Sequence, residues 1–478
     1  MNDWFDHILF NTRVQPETSA ILMEDRGVTY GMLGSAIESC AHRIAALDFA
    51  KDGLVAVCIG NPIRHLTISL ALFRIGIRAI SLDRTHQGIP GLNVALVLGD
   101  AEAKPVFSAG NRFVEVADDW FALDGPVAAG TLPAAFAGDR TVCRWALTSG
   151  STGEPKILPN TVGYIGLHVG SDIGMFNCDL VLSMPGLTSV FGFTIAFAVL
   201  ASRKTLCLAA SPFQAIRIIE LFSIDFVLTS MDQLIALTRA ARKSDAQLRS
   251  LRTVASGGGI PTRAMLEAAA IHLCKNVRCR YGTSEVGLLA DAPAAEVLSK
   301  PGFVGHVRPG FEMAAFDANG SRCRAGEIGI VKGRVKPSPD RAEDDWTDHG
   351  DVGWMTAEGD VFVVGRTTDF APADYSKASA REISPVHEVE HLLRLEWDAA
   401  DAAAIQVEGA AGAGPEIWVG TVDCKDARAE KLEAILRHRG IEGMVRIFPV
   451  AAIPRGAAGK VQRAQLKSLI LATAGKTR

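Results

Sequence analysis

The spacing of apolar and polar positions changes character twice along the chain. Residues 32–47 (MLGSAIESCAHRIAAL) carry apolar side chains at helical spacing, which predicts an amphipathic helix. Residues 54–59 (LVAVCI) form a short, continuously apolar run closed by Gly60, Asn61 and Pro62, the pattern of a buried strand entering a turn. Residues 66–75 return to a helical pattern, and 79–82 read as a strand. The middle keeps this rhythm: strands at 180–184, 205–209, 224–229 and 253–255, with a helix at 213–221. Strands alternating with helices predict a parallel sheet covered by helices. Between Gly326 and Gly365 the pattern shifts to short β segments punctuated by turns, which suggests a meander. After Asp369 comes a stretch poor in large apolar residues, then a helix (385–395), strands (404–407, 417–422), a helix (427–439), a strand (444–450) and a helix (463–471). That set predicts a small α+β domain. We therefore expect a mixed α/β protein. A large N-terminal domain of stacked α/β sheets with a β-rich subdomain would span 1–368, and a small C-terminal domain 369–478.

Composition narrows the class. The chain has 478 residues, 48% hydrophobic and 21% charged, enough to bury several cores. A net charge of -4, with no basic patch carrying interleaved aromatics, argues against nucleic acid as a partner. The apolar run at 190–201 (VFGFTIAFAVLA) falls short of the roughly 20 residues a membrane span needs. The first residues, MNDWFDHILF, have no basic region and make a poor secretory signal. Nine scattered cysteines without a CxxC read as reduced thiols, so a cytoplasmic protein is expected. Cys274, His272 and Cys279 make only a weak zinc pattern, because no second ligand pair follows. A homodimer is among the states the sequence allows.

Five places can carry chemistry. TSGSTGEPK at 148–156 lets a ligand approach the backbone closely, and consecutive N–H groups in such a loop can hold an anion. The same residues also make an ordinary surface loop, and they do not satisfy the Walker A pattern. RYGTSEVG at 280–287 sets the Glu285 carboxylate beside hydroxyls, suited to Mg²⁺ and phosphate or simply to a capped turn. The bare backbone of Gly257, Gly258 and Gly259 could admit a flat ring, and Asp351 could accept hydrogen bonds from a ribose diol. Lys460 on a Gly/Ala-rich loop could be brought to a developing negative charge.

In order and spacing these segments resemble the adenylate-forming superfamily: acyl- and aryl-CoA synthetases, nonribosomal-peptide adenylation domains and luciferases. The family's TSG[ST]TGxPK loop stands at 148–156, Y-G-x-[TS]-E at 281–285, [T]GD at 349–351, GR-x-x-D at 365–369 and P-x-x-x-x-GK at 454–460. VTYGML at 28–33 is similar to its TYxEL.

The resemblance implies two half-reactions: a carboxylate displaces pyrophosphate from ATP to give an acyl-adenylate, and a thiol then displaces AMP. It implies that Thr148, Ser149, Gly150, Ser151, Thr152, Gly153 and Lys156 hold the β- and γ-phosphates, that Ser284 touches the α-phosphate and that Glu285 holds Mg²⁺. Gly257, Gly258, Gly259 and Tyr281 would enclose adenine, within a motif that includes Gly282 and Thr283. Asp351 and Arg366 would hold the ribose, and Lys460 would bridge carboxylate and phosphate. Asp369 would be the hinge of a mobile C-terminal domain. The expected acceptor is coenzyme A, or else the phosphopantetheine thiol of an acyl carrier protein. A nucleotide-binding protein without turnover is the reading from a different class.

Three departures stand out. His349 replaces the usual threonine, the segment after Asp369 lacks I-K-x-x-G so that Lys377 finds no counterpart, and Thr188 or Ser189 occupies the place of an aromatic or histidine gate. The run from Pro185 to Ala201 contains no aspartate, which implies an acid without an α-ammonium group. Val190, Phe191, Gly192, Phe193 and Gly287 are the expected lining of its pocket.

Overall fold

A computed structural model describes residues 3–86, 93–107, 112–121, 131–149, 155–173, 176–336, 346–367, 385–407, 416–424, 427–441, 443–455 and 461–474. The chain divides into two compact units, one of residues 1–150 and 155–228, the other of 151–154 and 229–478.

The first unit contains a six-stranded sheet in the order Phe113–Glu115, Val94–Gly99, Leu54–Cys58, Ala79–Ser81, Val142–Ser149, Pro155–Thr161. All neighbours are parallel except the last pair. The apolar run LVAVC is buried at every position. Leu54, Ala56 and Cys58 join one core, and Val55 and Val57 join another on the opposite face. Such double burial is why the strand reads as continuous rather than alternating. The helix Pro62–Arg74 follows, with Pro62 at its start and the Asn61 side chain accepting from the amides of Ile63 and Arg64.

A second sheet region of this unit places Leu180–Ser183 between Thr205–Cys207 and Phe226–Leu228, all parallel, with Ser19–Leu22 beside Thr205–Cys207. The helix Val190–Ala201 is apolar on every side and almost wholly buried, as an all-round hydrophobic helix must be. Its Phe193 and Phe197 join Trp4, Phe5, Phe73 and Phe136 in an aromatic cluster. Among the described residues, no helix is long and apolar enough to cross a membrane.

In the second unit, Thr253–Gly257 pairs in parallel with Val277–Thr283. From there the sheet is antiparallel: Gly287–Pro293, Phe303–Val307, Asp360–Arg366, Thr347–Met355, Gly329–Val335 and Phe311–Phe316. The meander expected from 326 to 365 is present. Near the C-terminus, Asp401–Val407, Glu416–Val422 and Met444–Pro449 form a three-stranded sheet over a core containing Ala403, Ile405, Ile453, Leu466 and Ile470. The helix Pro385–Glu396 is tied to the start of helix Arg263–His272: Thr262 Oγ1 and His391 Nδ1 are 2.8 Å apart, and the amide of Ala264 donates to Glu388.

Candidate nucleotide and acid site

The strands Val142–Ser149 and Pro155–Thr161 pair antiparallel, with Thr148 opposite Lys156 and Ser149 opposite Pro155. The sequence-predicted phosphate loop is therefore the connection of a β-hairpin. Lys156 is exposed at its base. Gly150, Ser151, Thr152 and Gly153 lie outside the described residues, as do Asp369, Lys377 and Lys460.

A second hairpin carries Glu285. Strands Val277–Thr283 and Gly287–Pro293 bring Thr283 opposite Gly287, so Ser284, Glu285 and Val286 form the tip. The turn is set by two glycines. Gly287 has φ +93°, a conformation that favours glycine. A Cβ on Gly282 would run into the backbone of Gly287 and Leu288. The Val286 amide donates to Thr283 Oγ1 at 3.3 Å. The geometry leaves Ser284 half-buried and the Glu285 carboxylate in solvent, free to offer oxygen to a hard cation.

The strand Thr253–Gly257 ends in the glycine run. A Cβ on Gly257 would lie 2.8 Å from the carbonyl of Arg280, so close strand packing requires this glycine. Gly258 has φ +78° and open space around it, and Gly259 backs onto Met231. Gly258 and Gly259 present bare, exposed backbone against which a planar ring fits.

Next to this region, three side chains converge. Asp351 is 6% exposed. Its Oδ1 accepts from Arg366 Nη1 at 2.6 Å, and its Oδ2 accepts from the Tyr281 hydroxyl at 2.6 Å. Arg366 Nη1 also donates to the carbonyl of His349 at 3.0 Å. Strand register produces the meeting, since Asp351 and Arg366 are direct cross-strand partners. A register shift opposite the Val331–Lys332 step, with Gly350 at φ +70°, accommodates His349 and Gly350 as extra residues. Burial, and then the Asp351 carboxylate, push the Tyr281 hydroxyl well above its usual pKa, so it stays a donor. Asp351 keeps lone pairs on both oxygens, which suits it to a vicinal diol.

His349 fills the space left by Gly333, where a Cβ would lie 2.9 Å from its Nε2. Neither ring nitrogen has a partner among the described residues. Burial lowers its pKa, against the opposing pull of Asp351, Glu285 and Asp348. The residue's departure from the family pattern is legible in the sequence, but its enclosure is not.

The expected acid-pocket residues divide. Phe191 and Gly287 are partly exposed, whereas Val190 and Gly192 are buried. Phe193 is 1% exposed, with its ring in the aromatic cluster. Sequence reasoning missed Arg144, a buried cation that bonds to the segment just ahead of these residues.

A sequence model described as AMP-binding enzyme matches residues 10–333. A 2-succinylbenzoate–CoA ligase of Listeria monocytogenes serotype 4b (strain F2365) is 23% identical over 495 residues, covering 98% of this chain and 99% of that protein. The o-succinylbenzoate coenzyme A synthetase of Bacillus subtilis, solved in complex with ATP and magnesium ion, superposes with a TM-score of 0.76 at 20% identity. That match covers 96% of this chain and 99% of the other. The anthranilate CoA ligase AuaEII, in complex with anthranoyl-AMP, gives a TM-score of 0.79 at 17% identity over 98% of both chains. With the family model spanning more than half its length, the chain belongs to the AMP-binding enzyme family.

Proposed function

We propose that the protein is an AMP-forming acid–thiol ligase of the acyl- or aryl-CoA synthetase type. The carboxylate oxygen of the acid would bond to the α-phosphorus of ATP as pyrophosphate leaves. The thiol sulfur of coenzyme A would then bond to the acyl carbon as AMP leaves and the thiol proton is released. The observation that carries the reading is the Tyr281–Asp351–Arg366 arrangement, a buried carboxylate held ready for a diol in a chain of this family.

Roles follow from chemistry. Asp351 would take the ribose, and Gly258 and Gly259 the adenine face. Glu285 would hold Mg²⁺, which supplies charge neutralisation at the phosphates when bound. Ser284 and residues 148–156 would contact the phosphates. Lys460 would offset the charge that develops where two anions meet. We assign residues 1–368 to the adenylating domain and 369–478 to a domain that carries Lys460 and turns about Asp369. A cytoplasmic protein acting on an acid without an α-ammonium group completes the reading.

ATP–pyrophosphate exchange with Mg²⁺, run over fatty, aryl, dicarboxylic and amino acids, tests it. Exchange with one class of acid is expected, and silence across the panel with ATP still bound would favour a nucleotide-binding protein without turnover. Turnover with free coenzyme A against a holo-carrier protein then decides the acceptor.

A further inference from the structure

Arg144 lies on the strand Val142–Ser149 and is 1% exposed. Among the described residues no carboxylate comes within ion-pair distance of it. Its Nη2 donates to the carbonyls of Leu187 and Thr188, each at 3.2 Å, and its Nη1 to Asn160 Oδ1 at 3.3 Å. Its Nε has no partner among the described residues. The guanidinium carbon sits 4.0 Å from the centroid of the Phe193 ring. Burial lowers its pKa to about 10, which leaves it a cation at neutral pH. A buried charge without a counter-charge is costly, so its few partners indicate what it is for.

Those partners belong to one turn. Gly186 O accepts from both the amide and the hydroxyl of Ser189, at 3.1 and 2.8 Å. Ser189 Oγ in turn caps the helix Val190–Ala201 by accepting from the Gly192 amide at 3.0 Å. A Cβ on Gly192 would run into the carbonyls of Gly186 and Pro185. The turn is thus folded tightly onto the first turn of the helix. The Arg144 fork reaches it from a separate sheet and takes the two carbonyls that this local folding leaves over.

We propose that Arg144 is a positioning residue for the acid: its Nη2, bonded to the Leu187 and Thr188 carbonyls, fixes where Thr188, Ser189 and Phe191 stand toward the substrate. The inference rests on the reading above that this segment lines the acid pocket. A planar guanidinium suits the task, because Nη2 holds both carbonyls while Nη1 reaches Asn160 and the Phe193 ring packs on its face.

The test compares two accepted acids that differ in side-group size, in wild type, Arg144→Lys and Arg144→Met. Arg144→Met should raise KM for the acid about tenfold and change the ratio of the two kcat/KM values about fivefold, with KM for ATP unchanged. Arg144→Lys, which keeps the charge and loses the fork, should move the same ratio less. If Arg144→Met does not fold, Phe193→Leu removes the platform and leaves the guanidinium, and the ratio should again shift. An unchanged ratio in the folded variants, or an equal rise in both KM values, would make Arg144 a core strut and overturn the inference. Absence of exchange in wild type would instead defeat the functional reading and this inference with it.

Discussion

Arg366 and Arg144 both place a guanidinium on backbone carbonyls, but only Arg366 also meets a carboxylate. Arg366 is 41% exposed and bonds to Asp351 as well as to His349 O. Its charge is balanced, and water can still reach it. Arg144 is enclosed and balanced only by carbonyl dipoles and a ring face. A paired, half-open arginine can reorganise around a ligand, whereas an unpaired, sealed one can act only through what it holds in place.

The sharpest break in this comparison is Arg144→Glu. A carboxylate there would face two carbonyl oxygens in a dry core, and a loss of more than about 4 kcal/mol is expected, read as insoluble protein or a collapsed Tm. Next is acid. His65, buried and within reach of the Arg144 charge, is held down to about 4 from an ordinary 6.5, first by burial and in part by that charge. With the folded value below the unfolded one, stability is full above pH 6.5 and is lost as pH falls toward 4. The loss is on the order of 3 kcal/mol, measurable by denaturant titration across that window. Arg144→Met should raise the His65 pKa as followed by NMR.

At Arg366 the corresponding change is Asp351→Asn, which strips the arginine of its counter-charge. We expect kcat/KM for ATP to fall about 100-fold with KM for the acid little changed, in exchange kinetics. Tyr281→Phe is the mildest. It removes one donor from Asp351 Oδ2 and should raise KM for ATP about fivefold, with Tm nearly unaltered. An effect of Tyr281→Phe as large as that of Asp351→Asn would mean that the hydroxyl, and not the carboxylate, organises this corner.

Much of the fold was legible because periodicity is local. The run at 54–59 reads as a strand, and the helix Pro62–Arg74 announces itself through Asn61 and Pro62. Arg144 was not legible. In VCRWALTS it looks like a solvent-facing position, and its burial depends on a helix that begins at Val190. Asp351 reads alone as a turn aspartate, since its partner Tyr281 is 70 residues away. The family pattern is what joined Asp351 to Tyr281. Phe193 shows the reverse: placed by resemblance beside the substrate, it is 1% exposed and serves as the platform under Arg144. An all-round apolar helix gives no periodic signal of which face is which.

Two hydrogen bonds hold the Asp351 carboxylate, one on each oxygen. Because Tyr281 and Arg366 already fix the carboxylate, its rotamer entropy is lost during folding, and a nucleotide taken there as proposed would not have to remove it. Preorganisation of this kind makes the grip on a diol stiff. A sugar that lacks one hydroxyl leaves an oriented acceptor without a donor, and the carboxylate cannot swing away to find water instead. With Asp351 on the ribose as proposed, discrimination between ribo- and deoxyribonucleotides would be built into hydrogen bonds that folding itself makes.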